Sequence, residues 1–311
     1  MVFLPWGEMN KSPLLHLHSA VAAALEAGRP VVALESTLVA HGLPWPINLE
    51  TARAAESAVR AEGAVPATIA VWHGRPVIGL SDAELEALAR GGDILKASRR
   101  DLAAAVAQGA AAATTVAATM FLAHQAGIRL FATGGIGGAH RATGRSLDTS
   151  ADLIELARTP VAVVCAGAKS ILNLPQTLEI LESLGVPVVG YGTDDFPAFY
   201  VQSSGEPVST RVDTPGQAAA LLSAHWELKG AGIVLAQPVA AEAALGREEF
   251  ETALTRAQDL AAAANVRGPA VTPFLLARLA EITEGKTLRT NQALVVANAR
   301  LAAQVARELR K

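Results

Sequence analysis

A single cysteine, Cys165, stands in a chain of 311 residues. No internal disulfide can form, which excludes a small secreted fold stapled by such bridges. Aromatic residues reach only 4% and charged residues 18%. The formal net charge of −3 gives no electrostatic footing for nucleic acid as a partner. No uninterrupted apolar run attains the roughly 18 residues that a membrane helix requires, so no membrane partner is expected. The opening "MVFLPWGEMNKSP" has no basic n-region and carries Pro, Gly and Glu early. It reads as a loose tail over residues 1–13 and not as a signal peptide, with Met9 as a second candidate start. The cytoplasm is the expected compartment. What the chain does have is alanine, valine and leucine in quantity, with 51% apolar residues overall. That is the composition of a helix-rich α/β enzyme long enough to bury a large core.

Short Val-rich runs alternate with Ala-rich amphipathic ones. "PVVALEST" (30–37), "IRLFAT", "VAVVCAG", "VPVVGYGT" and "AGIVLAQPV" read as strands. Between them, "NLETARAAESAVRAEG" (48–63), "ADLIELAR", "LPQTLEILESLG" and "TPGQAAALLSAHWELKG" read as helices. Ser81 with Glu84 and Ser98 with Asp101 carry the capping-box spacing of helix starts. "ATIAVWHGRPVIGL" (67–80) reads as a hairpin turning at Gly74-Arg75. Near-continuous apolar strands separated by helices predict an α/β fold. It is a single domain over residues 14–311, with a mostly parallel central sheet flanked by helices on both faces and with side hairpins.

In such a sheet, chemistry concentrates in the loops after strand ends. Those positions hold Glu35, Ser36 and Thr37; Lys96; Thr133; Asp148, Thr149 and Ser150; Lys169; and Asp194 with Asp195. "TGGIGGAHR" (133–141) is either a tight turn or a backbone cradle for an anion, with His140 and Arg141 at its exit. It lacks the third glycine of a dinucleotide fingerprint. "LDTSAD" (147–152) is either an ordinary N-cap or a hard-cation site built on Asp148, and both can hold at once. Lys96 and Lys169 follow apolar residues, so each is either a surface charge or an amine in a half-dry pocket. Cys165 reads as a small strand side chain, and Asp194-Asp195 as a cation ligand or a turn cap.

These segments, in this order, resemble the pseudouridine-5′-phosphate glycosidase family, also known as indigoidine synthase A-like. The resemblance is carried by "VALESTLVAHGLPWPINLETA" (32–52), "KASRRDL" (96–102), "AAATTVAATM" (111–120) and "FATGGIGGAHR" (131–141). It continues through "LDTSADL" (147–153), "VVCAGAKSILNLPQTLEILE" (163–182), "GTDDFPAFY" (192–200) and "TPFLLARLAEITEGKTLRTNQALVVANARLAA" (272–303). The resemblance implies reversible cleavage of pseudouridine 5′-phosphate to uracil and ribose 5-phosphate by a homotrimer that uses Mn2+. It implies Lys169 as nucleophile, Glu35 as proton donor and Asp148 as metal ligand. Substrate contacts would come from Lys96, Val116, Thr133, His140, Ser150, Ala151, Asp152 and Asn291.

The chemistry explains such a set. The base of this substrate is joined through carbon, so departure needs a proton at C5 of uracil and an electron source at C1′ of the sugar. A lysine supplies the electrons by forming a Schiff base with the ring-opened sugar. Burial at the mouth of "VAVVCAGA" is expected to favour the neutral amine of Lys169, and a neighbouring Lys96 to reinforce it. Glu35, leaving an apolar strand, is expected to move the other way and keep a proton. Two rival readings remain: a Schiff-base aldolase acting on another sugar phosphate, and a catalytically silent metabolite-binding protein.

Overall fold

The computed structural model describes residues 12–141, 149–266 and 271–309. Most of the expected N-terminal tail and the metal candidate Asp148 therefore lie outside the described residues. The backbone of the fold is a parallel array. Strands β1 (His16–Leu17), β2 (Val31–Leu34), β3 (Val65–Trp72) and β4 (Arg75–Ile78) come first, followed by β5 (Ile94–Ala97), β6 (Ala111–Thr114) and β7 (Leu130–Ala132). The short β8 (Ala139–His140) precedes β9 (Ala162–Cys165), and β10 (Leu172–Asn173), β11 (Val188–Tyr191), β12 (Thr210–Val212) and β13 (Ile233–Ala236) complete the set. The order β3-β2-β7-β9-β13-β11-β12 is parallel at every pairing. β2, β7, β9 and β13 are buried at every residue, which explains why they read as continuous apolar runs and not as alternating ones.

β3 serves two sheets. Its first half, Val65–Thr68, pairs parallel with β2, and its second half pairs antiparallel with β4 and β6. Through β6 it carries β5 in parallel register, so Lys96 lies beside Ala113. The hairpin between β3 and β4 turns at His73-Gly74, one residue earlier than Gly74-Arg75, because Arg75 is already paired with Trp72. Both turn residues have positive φ, 47° and 74°, the type I′ geometry that suits the twist of two strands.

Helices cover the array. α1 (Ser19–Glu26), α2 (Ile47–Ala61), α3 (Asp82–Arg90), α4 (Leu102–Ala107), α5 (Val116–Gln125) and α6 (Ala151–Leu156) belong to the first half. α7 (Leu174–Ser183), α8 (Pro215–Glu227), α9 (Arg247–Ala263), α10 (Val271–Ile282) and α11 (Lys286–Glu308) belong to the second. α11 crosses β2, β7 and β9 between α2 and α8, while α5 packs on β2 and β3 beside α6. Both expected capping boxes form, at Ser81 with Glu84 and at Ser98 with Asp101.

Candidate active site

Because β2, β7 and β9 run parallel and side by side, the residues that follow them emerge at one edge. Glu35 comes directly after β2, Thr133 directly after β7, and Lys169 in the loop after β9. Lys96 on β5 and Val116, the first residue of α5, reach the same place from the side sheet. Glu35, Lys96, Val116 and Lys169 line a cleft of about 790 Å3 together with His140, Ser150, Ala151 and Asp152. A smaller lobe of about 190 Å3 shares Glu35, Lys96 and Lys169, and adds Asn291, Phe199 and His41. Residues far apart in sequence thus share one hollow.

The loop bearing Lys169 is held on both sides. The Lys169 N–H donates to Ile136 O at 3.1 Å and the Ala166 N–H to Gly134 O at 2.9 Å, which ties it to the glycine loop. On the other side the Phe199 N–H donates to Ala166 O at 2.9 Å. The glycines are demanded by close approach. A Cβ on Gly137 would sit 2.2 Å from Ser150 Oγ, and one on Gly135 would sit 2.6 Å from the Phe199 ring. Phe199 itself adopts φ 62°, a region costly for a bulky side chain, and its ring forms one wall of the smaller lobe.

Asp152 fastens two parts of the cleft. Its Oδ1 accepts from the Ala117 N–H at 3.0 Å and its Oδ2 from the Gly137 N–H at 2.8 Å. Ser150 caps α6 by accepting from the Asp152 N–H at 3.2 Å. So this segment does contain an N-cap. The N-terminus of α5 opens into the cleft, where a helix end favours negative charge.

Lys96 is exposed to the open cleft, yet desolvation lowers its pKa below the ordinary 10.5. The charge of Lys169 adds to the lowering, and those of Glu35 and Asp152 oppose it. Burial likewise lowers the pKa of His41 and pushes that of the Cys165 thiol up to about 12, so Cys165 is inert. Asp194 pairs with Arg211 at 2.7 Å, and Asp195 accepts from the Ser203 hydroxyl at 2.6 Å, which gives both aspartates structural partners. A separate cleft of about 320 Å3 lies beyond the Lys169 loop around Arg141 and Arg247. Both arginines donate to backbone carbonyls there, Arg141 to Leu172 O and Arg247 to Ser203 O.

Thr133 is the expected contact that the cleft does not expose. It is buried at 2% accessibility, and its hydroxyl donates to Glu35 Oε1. Thr37 donates to Glu35 Oε2 from the opposite side. Asn291 is 4% exposed, and its Oδ1 has no hydrogen-bond partner in the protein. One helical face explains a residue that sequence reasoning missed: Asn298 lies two turns after Asn291 on α11 and donates to Thr133 O at 2.8 Å. His41 and Phe199 were also missed, having no motif chemistry of their own.

A family model described as "Indigoidine synthase A like protein" matches residues 20–308. The chain belongs to the indigoidine synthase A-like family. It is 56% identical to a pseudouridine-5′-phosphate glycosidase of Methylobacterium nodulans, over 96% of this chain and 89% of the relative. It is 55% identical to one of Solibacter usitatus, over 95% of this chain and 99% of the relative. Among solved structures, the prealnumycin C-glycosynthase AlnA in complex with ribulose 5-phosphate superposes with a TM-score of 0.89 at 40% identity. That match covers 96% of this chain and 97% of AlnA. An indigoidine synthase A-like protein of Thermotoga maritima gives 0.86 at 35% identity, over 96% and 97% of the two chains.

Proposed function

We propose that this chain is a pseudouridine-5′-phosphate glycosidase, reversibly cleaving the C1′–C5 bond to give uracil and ribose 5-phosphate. The observation that carries the reading is the meeting of Glu35, Lys96 and Lys169 in one cleft with a smaller apolar lobe attached. Relatives at over half identity across nearly the whole chain bear the same name. Glu35 donates a proton to the ring oxygen as the furanose opens, and the Lys169 amine forms a bond to C1′. The new ammonium passes a proton back to Glu35. The freed nitrogen lone pair then expels the base while Glu35 gives that proton to C5, leaving a C1′ iminium on Lys169 and neutral uracil. Water adds to the iminium and returns free Lys169 with the aldehyde of ribose 5-phosphate.

The remaining groups bind. The glycine loop with His140, the Ser150 turn and Lys96 receive the 5′-phosphate, and the open Oδ1 of Asn291 accepts from an N–H of uracil. Among the described residues no three His, Cys, Asp or Glu side chains gather around one point, and both Asp152 oxygens are taken by backbone N–H groups. The described residues alone therefore do not make a metal centre. Asp148, outside the described residues, would be the residue that holds manganese. The homotrimer and the cytoplasmic setting are proposals of the same family reading; no described helix is long and apolar enough to cross a membrane.

The deciding experiment incubates the enzyme with uracil and ribose 5-phosphate, with and without manganese, and follows pseudouridine 5′-phosphate by mass-resolved chromatography. Its formation is expected. An enzyme that forms an imine with ribose 5-phosphate but never joins it to uracil would instead be a Schiff-base lyase of another pentose phosphate. The AlnA complex with ribulose 5-phosphate gives that second reading its footing.

A further inference from the structure

Glu35 is held by two threonines, and this arrangement carries an inference of its own, resting on the reading of Glu35 as proton donor. We propose that Thr37 and Thr133 are positioning residues that grip the Glu35 carboxyl group from opposite sides, with Asn298 bracing Thr133 from α11. Thr37 donates to Oε2 and Thr133 to Oε1, so each carboxyl oxygen has its own hydroxyl. The two hydroxyls belong to different strand ends, those of β2 and β7.

Thr133 is fixed in turn. Its N–H donates to Val164 O at 3.0 Å, which ties it to β9, the strand whose loop carries Lys169. Its carbonyl accepts from Asn298 Nδ2 at 2.8 Å, and Asn298 is fully buried. The carboxyl group of Glu35 is therefore indexed against the strand that delivers the nucleophile. Hydroxyls suit this task better than amides or amines would. A threonine oxygen both donates and accepts, so it can stay bonded to Glu35 whether the carboxyl group holds its proton or has given it away. A Glu side chain otherwise has three rotatable bonds, and an ångström of misplacement at a reacting group costs on the order of 10²-fold in rate.

The test measures pseudouridine 5′-phosphate cleavage by Thr37→Val and Thr133→Val, alongside Thr37→Ser and Thr133→Ser, with ribose 5-phosphate affinity by calorimetry. Each valine variant is expected to lose roughly 10–100-fold in kcat, with ribose 5-phosphate affinity within about 3-fold of wild type. Each serine variant is expected to recover most of that loss. In a Glu35→Ala background, Thr37→Val is expected to cost nothing further, because the clamp acts only through Glu35. Valine variants with wild-type kcat would overturn the proposal, and so would affinity losses that match the kcat losses, which would make the threonines substrate contacts. If Thr133→Val fails to fold, Thr37→Val decides alone, since Thr37 holds the other oxygen at the cleft rim. A wild-type enzyme without this activity would remove the functional reading itself. An active wild type with unaffected valine variants would remove only the clamp.

Discussion

Lys96 and Lys169 reach one cleft from different strands, and their separate tasks can be told apart by experiment. Borohydride reduction in the presence of ribose 5-phosphate should attach the sugar to Lys169, and peptide mapping that finds the label on Lys96 would reverse the two roles. Glu35→Gln keeps the shape of the side chain but has no proton to give. Its kcat is expected to fall by roughly 10²–10⁴, the usual worth of a general acid, with ribose 5-phosphate binding retained. Lys96 also makes a prediction about stability. Its pKa is lower in the folded protein than the ordinary 10.5, with desolvation the first cause, so the folded state binds fewer protons at this site than the unfolded chain. The penalty for partly desolvating this charge beside Lys169 is present below the folded pKa and disappears as pH rises towards 10.5. Lys96→Met should therefore unfold above the wild type at pH 7 in differential scanning fluorimetry, by a margin that shrinks on going alkaline. An unchanged margin across that range would show that the amine carries no such penalty.

At the scale of elements, the turn after Glu35 does more than connect. Leu38–Gly42 is a π-helical turn that brings His41 to the smaller lobe, and wide turns of this kind tend to occur at functional sites. Asn48 holds it in place, donating from Nδ2 to Val39 O and to Ala89 O, each at 2.7 Å, the second being at the end of α3. Asn48→Leu would leave both carbonyls without that donor. It should lower stability by roughly 2–4 kcal/mol in urea unfolding, the usual cost of stranded buried polar groups. The glycine loop makes the complementary case. Gly137→Ala would push a methyl group into Ser150 Oγ and to 2.7 Å from Asp152 Oδ2, the oxygen that holds the loop. Affinity for ribose 5-phosphate should drop by more than about 10-fold, as expected when binding groups lose their preset geometry. The apolar strands β2, β7, β9, β11 and β13, the β3–β4 hairpin, the capping boxes and the glycine loop were legible in the chain, because apolar period and cap spacing are local properties, whereas strands such as β5 and β12 were not. The π-turn was not. Its geometry depends on a side-chain clamp from Asn48, and nothing in "LVAHG" announces that partner.

At the scale of the molecule, two features of the family reading are open to simple measurement. Dialysis against a chelator should abolish turnover, and added manganese should restore it. Asp148→Asn should leave the enzyme unable to recover, with fluorescence-detected manganese binding lost as an independent readout. Light scattering coupled to size exclusion should find three chains per particle.

By itself the sequence determined the alternation of buried strands and amphipathic helices, and with it the rule that chemistry sits at strand ends. That rule pointed to Glu35, Lys96, Thr133, Ser150 and Lys169, with His140 at the exit of the glycine loop and Asp152 in "LDTSAD", while Asn291 was reached only through the resemblance to the family. Only the tertiary structure decided how these groups stand to one another. Thr133 is the clearest example: as a residue it offers a hydroxyl at a strand end, and its direction depends on the neighbouring strand. β2 lies beside β7, so that hydroxyl meets Glu35 and is turned away from the open cleft. Hydrogen bonds between adjacent parallel strands join residues about a hundred positions apart, and no local pattern in a chain records which strand will lie next to which.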